Sequence, residues 1–567
     1  MSKAWYIGNT TIRNPKRLKD GLSVLALSPL HGNLVGKENE LEFAKLLDIE
    51  EIVRVERLHE SPPRDASDVG RKWRAALMQL GFLKPSFSDR PFTITANGMR
   101  LINASSLPAE QECFLRALLA HQIPSPIESF PDPVFSPLRI VLEVISELEK
   151  ANLNPWISMD EMASIVQLLR GMDEVKTAVS KIAEYRQQLS TFATPRERRA
   201  FVNGTREAAA NYLISQQSAT LKDYADTNFR YLKLTGLFVE SGRKLIVAEH
   251  KKTIVEQIVS LPYSPITEEH YLETLWNGAT LPTDNAFQAI RAIESTIELL
   301  ERHSSNGALD IPDLSTLDVA DLSHLRLHLE EEWLKVLEMQ FARRQSEEWA
   351  EILAYLRALT QSVRTSGGLI PQGEGPAYFE WALWRAFLAI NSLENKPWEA
   401  RRFRIDQEFL PVGTAPGGGP DMIFEFDSFV VVAEVTLTTS SRQEAAEGEP
   451  VRRHVAQLVD HYAQQGKRVY GLFIANKVDT NTAETYRIGV WYRPDDSRMA
   501  LDIVPMTLGQ FADLFEAGFS SNRRLDYRIV EQIIRNCLVE SRAEAPEWKR
   551  RINEQINFAV EQLKSSS

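Results

Sequence analysis

The residues with the clearest potential for chemistry lie between Gly417 and Thr436, in the stretch GGGPDMIFEFDSFVVVAEVT. Two short β-rich runs, Asp421 to Phe426 and Phe429 to Thr436, meet there at Asp427 and Ser428. If those two residues form a two-residue hairpin turn, cross-strand partners have numbers summing to 855, as 427 and 428 do. Asp421 then faces Glu434 on one side of the ladder, with Cβ atoms about 5 Å apart. Two carboxylates held that close repel each other. A divalent cation between them removes the conflict; the alternative is a pair of strand-end carboxylates facing water.

Other elements must hold this hairpin in place. Tyr378 to Leu393 reads as a mostly apolar, buried helix carrying Glu380 among Phe379, Trp381 and Trp384. A carboxylate in that company needs a partner. Glu380 either answers the helix dipole or points at the same cation as Asp421 and Glu434. After the hairpin, Glu444, Glu447 and Glu449 lead into a helix containing Arg452, Arg453, His454 and His461. Arg468 to Ala475 and Gly489 to Tyr492 then read as strands, which suggests an α/β core with a mixed sheet. The triple glycine Gly417 to Gly419 lacks the Gly-Lys-Ser/Thr of a phosphate cradle and reads as a loop.

A chain of 567 residues is too long for one core and implies two to four domains. Cys113 and Cys537 stand alone, which argues against a disulfide scaffold or a structural zinc site. The first residues lack a signal-peptide core, and no apolar run approaches a membrane span, so a cytoplasmic protein with no membrane partner is expected. Net charge is −12, a mild argument against nucleic acid as partner. Charge is segregated, however. Ser61 to Ser105 holds seven basic and three acidic residues, a +4 segment in an acidic chain.

That segment also has a recognisable order. Asp68 to Leu80 reads as a helix closed by Gly81, and Pro91 to Ile102 as a hairpin turning at Asn97 and Gly98. Helix, glycine, hairpin is the order of a winged-helix module, which would set Arg64, Arg71, Lys72 and Arg74 against DNA phosphates or guanine edges. Winged helices also serve as protein-binding units. The same order returns at residues 221 to 250, after a helix over Leu138 to Ala151 and a Ser158–Glu161 capping box. There the candidate DNA contacts are Lys222, Asn228, Arg230 and Lys233. Domains are accordingly expected at 1–137 and 138–265 (two winged-helix-like recognition modules), with a linker at 266–285 and a catalytic domain at 286–567.

Asp421 and Glu434, with the carbonyl of Val435 nearby, suit Mg²⁺, which takes one or two carboxylates plus waters and substrate oxygens. Cleavage of phosphodiesters with one or two such ions needs this donor set. A helix-borne acid, then Pro-Asp on one strand and Glu-x-Lys on the next, is the nuclease pattern PD-(D/E)xK. Pro420, Asp421, Glu434 and Val435 match it, and Thr436 stands where the lysine would be. In FEW at Phe379 to Trp381, the Pro420 to Thr436 hairpin and GEPVRRH at Gly448 to His454, the chain resembles the AlwI-type restriction endonucleases. The opening Trp-Tyr with Arg13 and Pro15, FRYLKLTGLFV, and Leu281–Pro282 extend the resemblance over most of the chain.

The resemblance implies a Type IIS enzyme with an N-terminal recognition domain and a C-terminal cleavage domain. Such an enzyme binds a short asymmetric duplex site and cuts at a fixed distance to one side with Mg²⁺. It implies Glu380, Asp421 and Glu434 as metal-binding acids, and Glu449 and His454 as further active-site residues. The family itself carries threonine at the lysine position, so Thr436 does not oppose activity but leaves open what activates the water. The fold expected is thus multidomain α+β, with winged-helix-like modules ahead of an α/β PD-(D/E)xK nuclease-like domain. One catalytic hairpin cuts one strand. Double-strand cutting requires a second nuclease domain, from transient homodimerisation or a small partner subunit; without it the protein nicks. A different class of reading is a non-catalytic DNA-binding regulator with a degenerate nuclease core.

Overall fold

In the computed structural model, Met422–Glu425 and Phe429–Thr436 form the expected antiparallel hairpin, with Met422 opposite Ala433 and Glu425 opposite Val430. The residues described are 3–85, 93–125, 134–213, 217–303, 310–361, 368–439, 442–520 and 525–565. The hairpin is the edge of a four-stranded mixed sheet, ordered Met422–Glu425, Phe429–Thr436, Arg468–Ala475, Ile503–Thr507. Its last two pairings are parallel. A parallel neighbour needs a crossover, and the helix Arg442–Ala463 supplies it between the two central strands. Phe429 to Glu434 is buried at every position, as expected of a strand covered on both faces.

Two helices fix what surrounds this hairpin. Gly375–Ile390 is buried along nearly its whole length, and Phe387 stacks on Phe424 of the hairpin with ring centroids 3.9 Å apart. The crossover helix comes close to the sheet where Gly471 interrupts the third strand. A Cβ there would stand 2.8 Å from Val455 and from Ile503, so only glycine allows the approach. Val455 is therefore seated on the sheet, and its neighbour His454 is carried to the carboxyl end of the central strand.

The chain divides into two compact units, Met1–Leu334 and Lys335–Ser567. The sequence predicts a second domain from residue 286, whereas the division falls inside the helix Val319–Arg344. The predicted linker contains a helix, Glu268–Asn277, whose Tyr271 is buried and accepts from the backbone N–H of Gln122.

The first unit is mostly helical. The predicted helices over 68–80 and 138–151 appear as Ser67–Gln79 and Pro137–Lys150, and the Ser158–Glu161 capping box is formed. The predicted hairpin at 91–102 is corrected. Residues 91 and 92 lie outside those described, and Ala96–Asn103 is a helix. Thr95 caps it by accepting from the N–H of Gly98, so Asn97 and Gly98 occupy a first helical turn instead of a hairpin turn. The second predicted hairpin is present as Phe238–Ser241 and Lys244–Val247, after the helix Ser218–Lys233. Trp156–Ser158 adds a third strand to it.

An ionic network, fully buried at Lys251, Glu330 and Arg326, also stabilises this unit. Lys251 pairs with Glu330 at 2.6 Å, Glu330 with Arg326 at 3.0 Å, and Arg326 with Glu112. Arg116 links Glu112 to Asp284. Acids and bases alternate, so each buried charge has an opposite neighbour. Among the described residues no helix is long and apolar enough to cross a membrane.

Candidate functional site

Asp421 and Glu434 meet at the end of the hairpin, as the register requires. The backbone N–H of Val435 donates to Asp421 Oδ2 at 2.9 Å, which locks the aspartate onto the strand carrying Glu434. Burial, and next the charge of Glu434, holds the Asp421 carboxyl well above the usual range. Burial pushes Glu434 up to about 8, and Glu447 adds to the rise. Without a counter-charge this pair resists double ionisation.

His454 completes the group. Its Nδ1 lies 2.6 Å from Glu434 Oε1, and its Nε2 is buried with no hydrogen-bond partner. Burial, reinforced by Arg453, lowers the imidazole pKa, so the ring is neutral near pH 7. With Glu434 ionised, Nδ1–H donates to the carboxylate and the Nε2 lone pair is left free. An imidazole held in that way can accept a proton from water.

The other predicted site residues make contacts of their own. Glu380 is buried, and its Oε2 accepts from the N–H of Ala415 at 2.7 Å. It thereby ties the loop before the hairpin to the helix Gly375–Ile390. Glu449 is exposed and pairs with Arg453 at 3.0 Å. Thr436 Oγ1 accepts from the N–H of Thr438 at 3.2 Å, a local turn contact.

A further acid, Glu447, is not among the residues that the sequence singles out for the site. Its charge opposes ionisation of Asp421, Glu434 and the buried Tyr486 together. A spacing signal for it existed. Glu447 and His454 are two helical turns apart and share a face, whereas Glu449 is about 200° round the helix from Glu447.

The donor set fits a hard divalent cation. Two buried carboxylates whose ionisation is opposed by burial and by each other are what such a cation neutralises. Among the described residues no three His, Cys, Asp or Glu side chains are gathered as a ready cage. Mg²⁺ needs none, because waters and substrate oxygens complete its shell.

The predicted DNA contacts in the first unit are mostly committed to the fold. Asn228 is buried, accepting from the N–H of Ile7 at 2.9 Å and donating to Gln167 at 3.2 Å. Arg230 pairs with Asp226 and donates to the carbonyl of Ile12. Lys233 pairs with Glu240, Lys72 with Asp68, Arg74 with Glu40 and Arg64 with Glu60. Arg71 and Lys222 are exposed, and neither pairs with an acid among the described residues.

The family model described as AlwI restriction endonuclease matches residues 78–514. No curated protein matches the chain. Solved structures with likeness include the small subunit (R.BspD6I2) of the heterodimeric restriction endonuclease R.BspD6I, at 23% identity and TM-score 0.29, covering 38% of this chain and 100% of that one. The BpuJ1 endonuclease binding domain, in complex with modified DNA, is similar at 12% identity and TM-score 0.30, covering 49% and 96%. The restriction endonuclease FokI is similar at 11% identity and TM-score 0.26, covering 94% and 99%.

Proposed function

The chain belongs to the AlwI restriction endonuclease family, and from that premise we propose a Type IIS enzyme that hydrolyses duplex DNA with Mg²⁺. It binds a short asymmetric site and cuts a fixed distance to one side. The observation that carries this reading is the buried Asp421–Glu434 pair, with His454 hydrogen-bonded to Glu434. Asp421 and Glu434 would hold the ion. Bound there, Mg²⁺ supplies charge stabilisation at the scissile phosphate and acidifies water. The chain's own part is positional. Val435 N–H fixes Asp421, Glu434 orients the imidazole, and His454 Nε2 takes the proton of the attacking water. Glu380 contributes by holding the Ala415 loop.

Recognition is assigned to the first unit, with the helix Ser218–Lys233 and its three-stranded sheet as a winged-helix-like module. Lys222 on that helix and Arg71 on the helix Ser67–Gln79 are the unit's phosphate contacts. One acidic pair per chain cuts one strand, so double-strand cleavage draws on a second copy or a small partner subunit; alone, the protein nicks.

Supercoiled plasmid incubated with the protein and Mg²⁺ tests the proposal, with run-off sequencing to read the site, the cut distance and the number of strands cut. Open-circular or linear product that disappears in Glu434→Gln is the expected result. Specific DNA binding in Ca²⁺ with no product in Mg²⁺ would replace the proposal with a non-catalytic regulator.

A further inference from the structure

Phosphodiester hydrolysis loads negative charge onto the non-bridging oxygens of the scissile phosphate, and a fixed cation beside the acidic pair stabilises it. Thr436 cannot be that cation. One arginine from another part of the unit lies close by. Arg402 follows the short helix Pro397–Ala400, and its backbone N–H donates to the carbonyl of Asp421 at 3.3 Å. Its Nη1 donates to the carbonyl of Pro420 at 3.0 Å.

The guanidinium lies against Gly419. A Cβ on that glycine would stand 2.6 Å from Nη1, 2.9 Å from Cζ and 3.3 Å from Nη2. The last residue of the triple glycine is thus the seat of this side chain. Two other arginines of the unit are already engaged. Arg401 is held by both oxygens of Glu338, and Arg385 by Glu348, Glu351 and Gln345. Arg402 is half-buried and forms no ion pair with a described residue, and its Nε and Nη2 make no hydrogen bond among them. Its charge nonetheless reaches the site, lowering the proton affinity of both Glu434 and His454.

We propose that Arg402 contacts a non-bridging oxygen of the scissile phosphate through its unused Nε–Nη2 edge, supplying from the Gly419 seat the positive charge that Thr436 does not. A planar fork with two unspent donors matches a phosphate, and its fixed seat avoids reorganisation when charge develops. The inference rests on the nuclease reading above.

The test compares wild type with Arg402→Gln, Arg402→Lys and Arg402→Ala in the full-length protein. Three readouts are used: single-turnover plasmid cleavage in Mg²⁺, thermal stabilisation by Ca²⁺, and anisotropy of a duplex spanning the mapped cut, titrated with KCl in Ca²⁺. Arg402→Gln is expected to cut about 10²- to 10³-fold more slowly. Its binding should lose about one counterion from the salt slope, and its Ca²⁺ stabilisation should persist. Free guanidinium is expected to restore part of the Arg402→Ala rate, and lysine to retain more than glutamine. An unchanged salt slope, or loss of Ca²⁺ stabilisation together with the rate, overturns the phosphate contact in favour of a purely structural role. Wild-type cleavage equalled by Arg402→Gln sinks this inference alone, whereas a wild type that never cuts sinks the nuclease reading with it.

Discussion

Replacing Glu434 with glutamine should make the metal-free protein more stable at alkaline pH while abolishing its function. Burial raises Glu434 from 4.5 to about 8, and Asp421 is raised beside it. The folded state therefore binds more protons than the unfolded chain between those values, and stability falls as pH rises through them. At about 1.36 kcal/mol per unit, the Glu434 shift alone corresponds to at most about 5 kcal/mol at pH 8 or above, and to almost nothing at pH 4.5. Glutamine keeps the oxygen that accepts from His454 and removes the charge. For a unit of this size each kcal/mol moves Tm by about 2–4 °C, so a gain of up to roughly 10–20 °C is expected at pH 8.5. Thermal melts in EDTA at pH 5 and pH 8.5 measure it, following the transition that Ca²⁺ shifts in the wild type. Wild type should then recover stability with Ca²⁺, and Glu434→Gln should not. Equal melting of the two proteins in EDTA at pH 8.5 would refute the claim that two buried carboxylates oppose each other here.

Three further outcomes follow from named contacts. His454→Ala should slow cleavage by about 10²- to 10⁴-fold in a single-turnover assay yet retain stabilisation by Ca²⁺, because the ring handles a proton and not the ion. Lys251→Met leaves Glu330 facing only Arg326 in a buried site and should cost about 3–5 kcal/mol, read from denaturant unfolding of the first unit. Asn228→Ala should cost about 1–3 kcal/mol in the same measurement and weaken DNA binding without changing which sequence is preferred, because the amide holds Ile7 and Gln167.

The hairpin register was legible in the sequence because it is local. Two turn residues and strand alternation set which residue faces which, and Asp421 and Glu434 then follow by counting. The capping box at Ser158 was legible for the same reason, since its donors and acceptors lie within one turn. Asn97 and Gly98 show where local chemistry is ambiguous. The pair suits a hairpin turn, but the hydroxyl of Thr95 recruits it into a helix whose Leu101 is buried in the core. Asn228 and Arg230 suit DNA contacts by sequence because polar side chains on a helix look available, and only packing against residues 5–12 commits them to the fold.

What the sequence determined, then, is the pair of opposed carboxylates, with the Pro-Asp and FEW blocks that mark the family. Their company comes from packing. Which of Glu444, Glu447 and Glu449 turns toward the pair depends on the rotation of the crossover helix, and that is set where Val455 meets Gly471 on a distant strand. Glu380 bonds a loop, and Arg402 reaches the site by lying across Gly419. Contacts between residues far apart in the chain depend on how finished elements dock, and no spacing within one element encodes that.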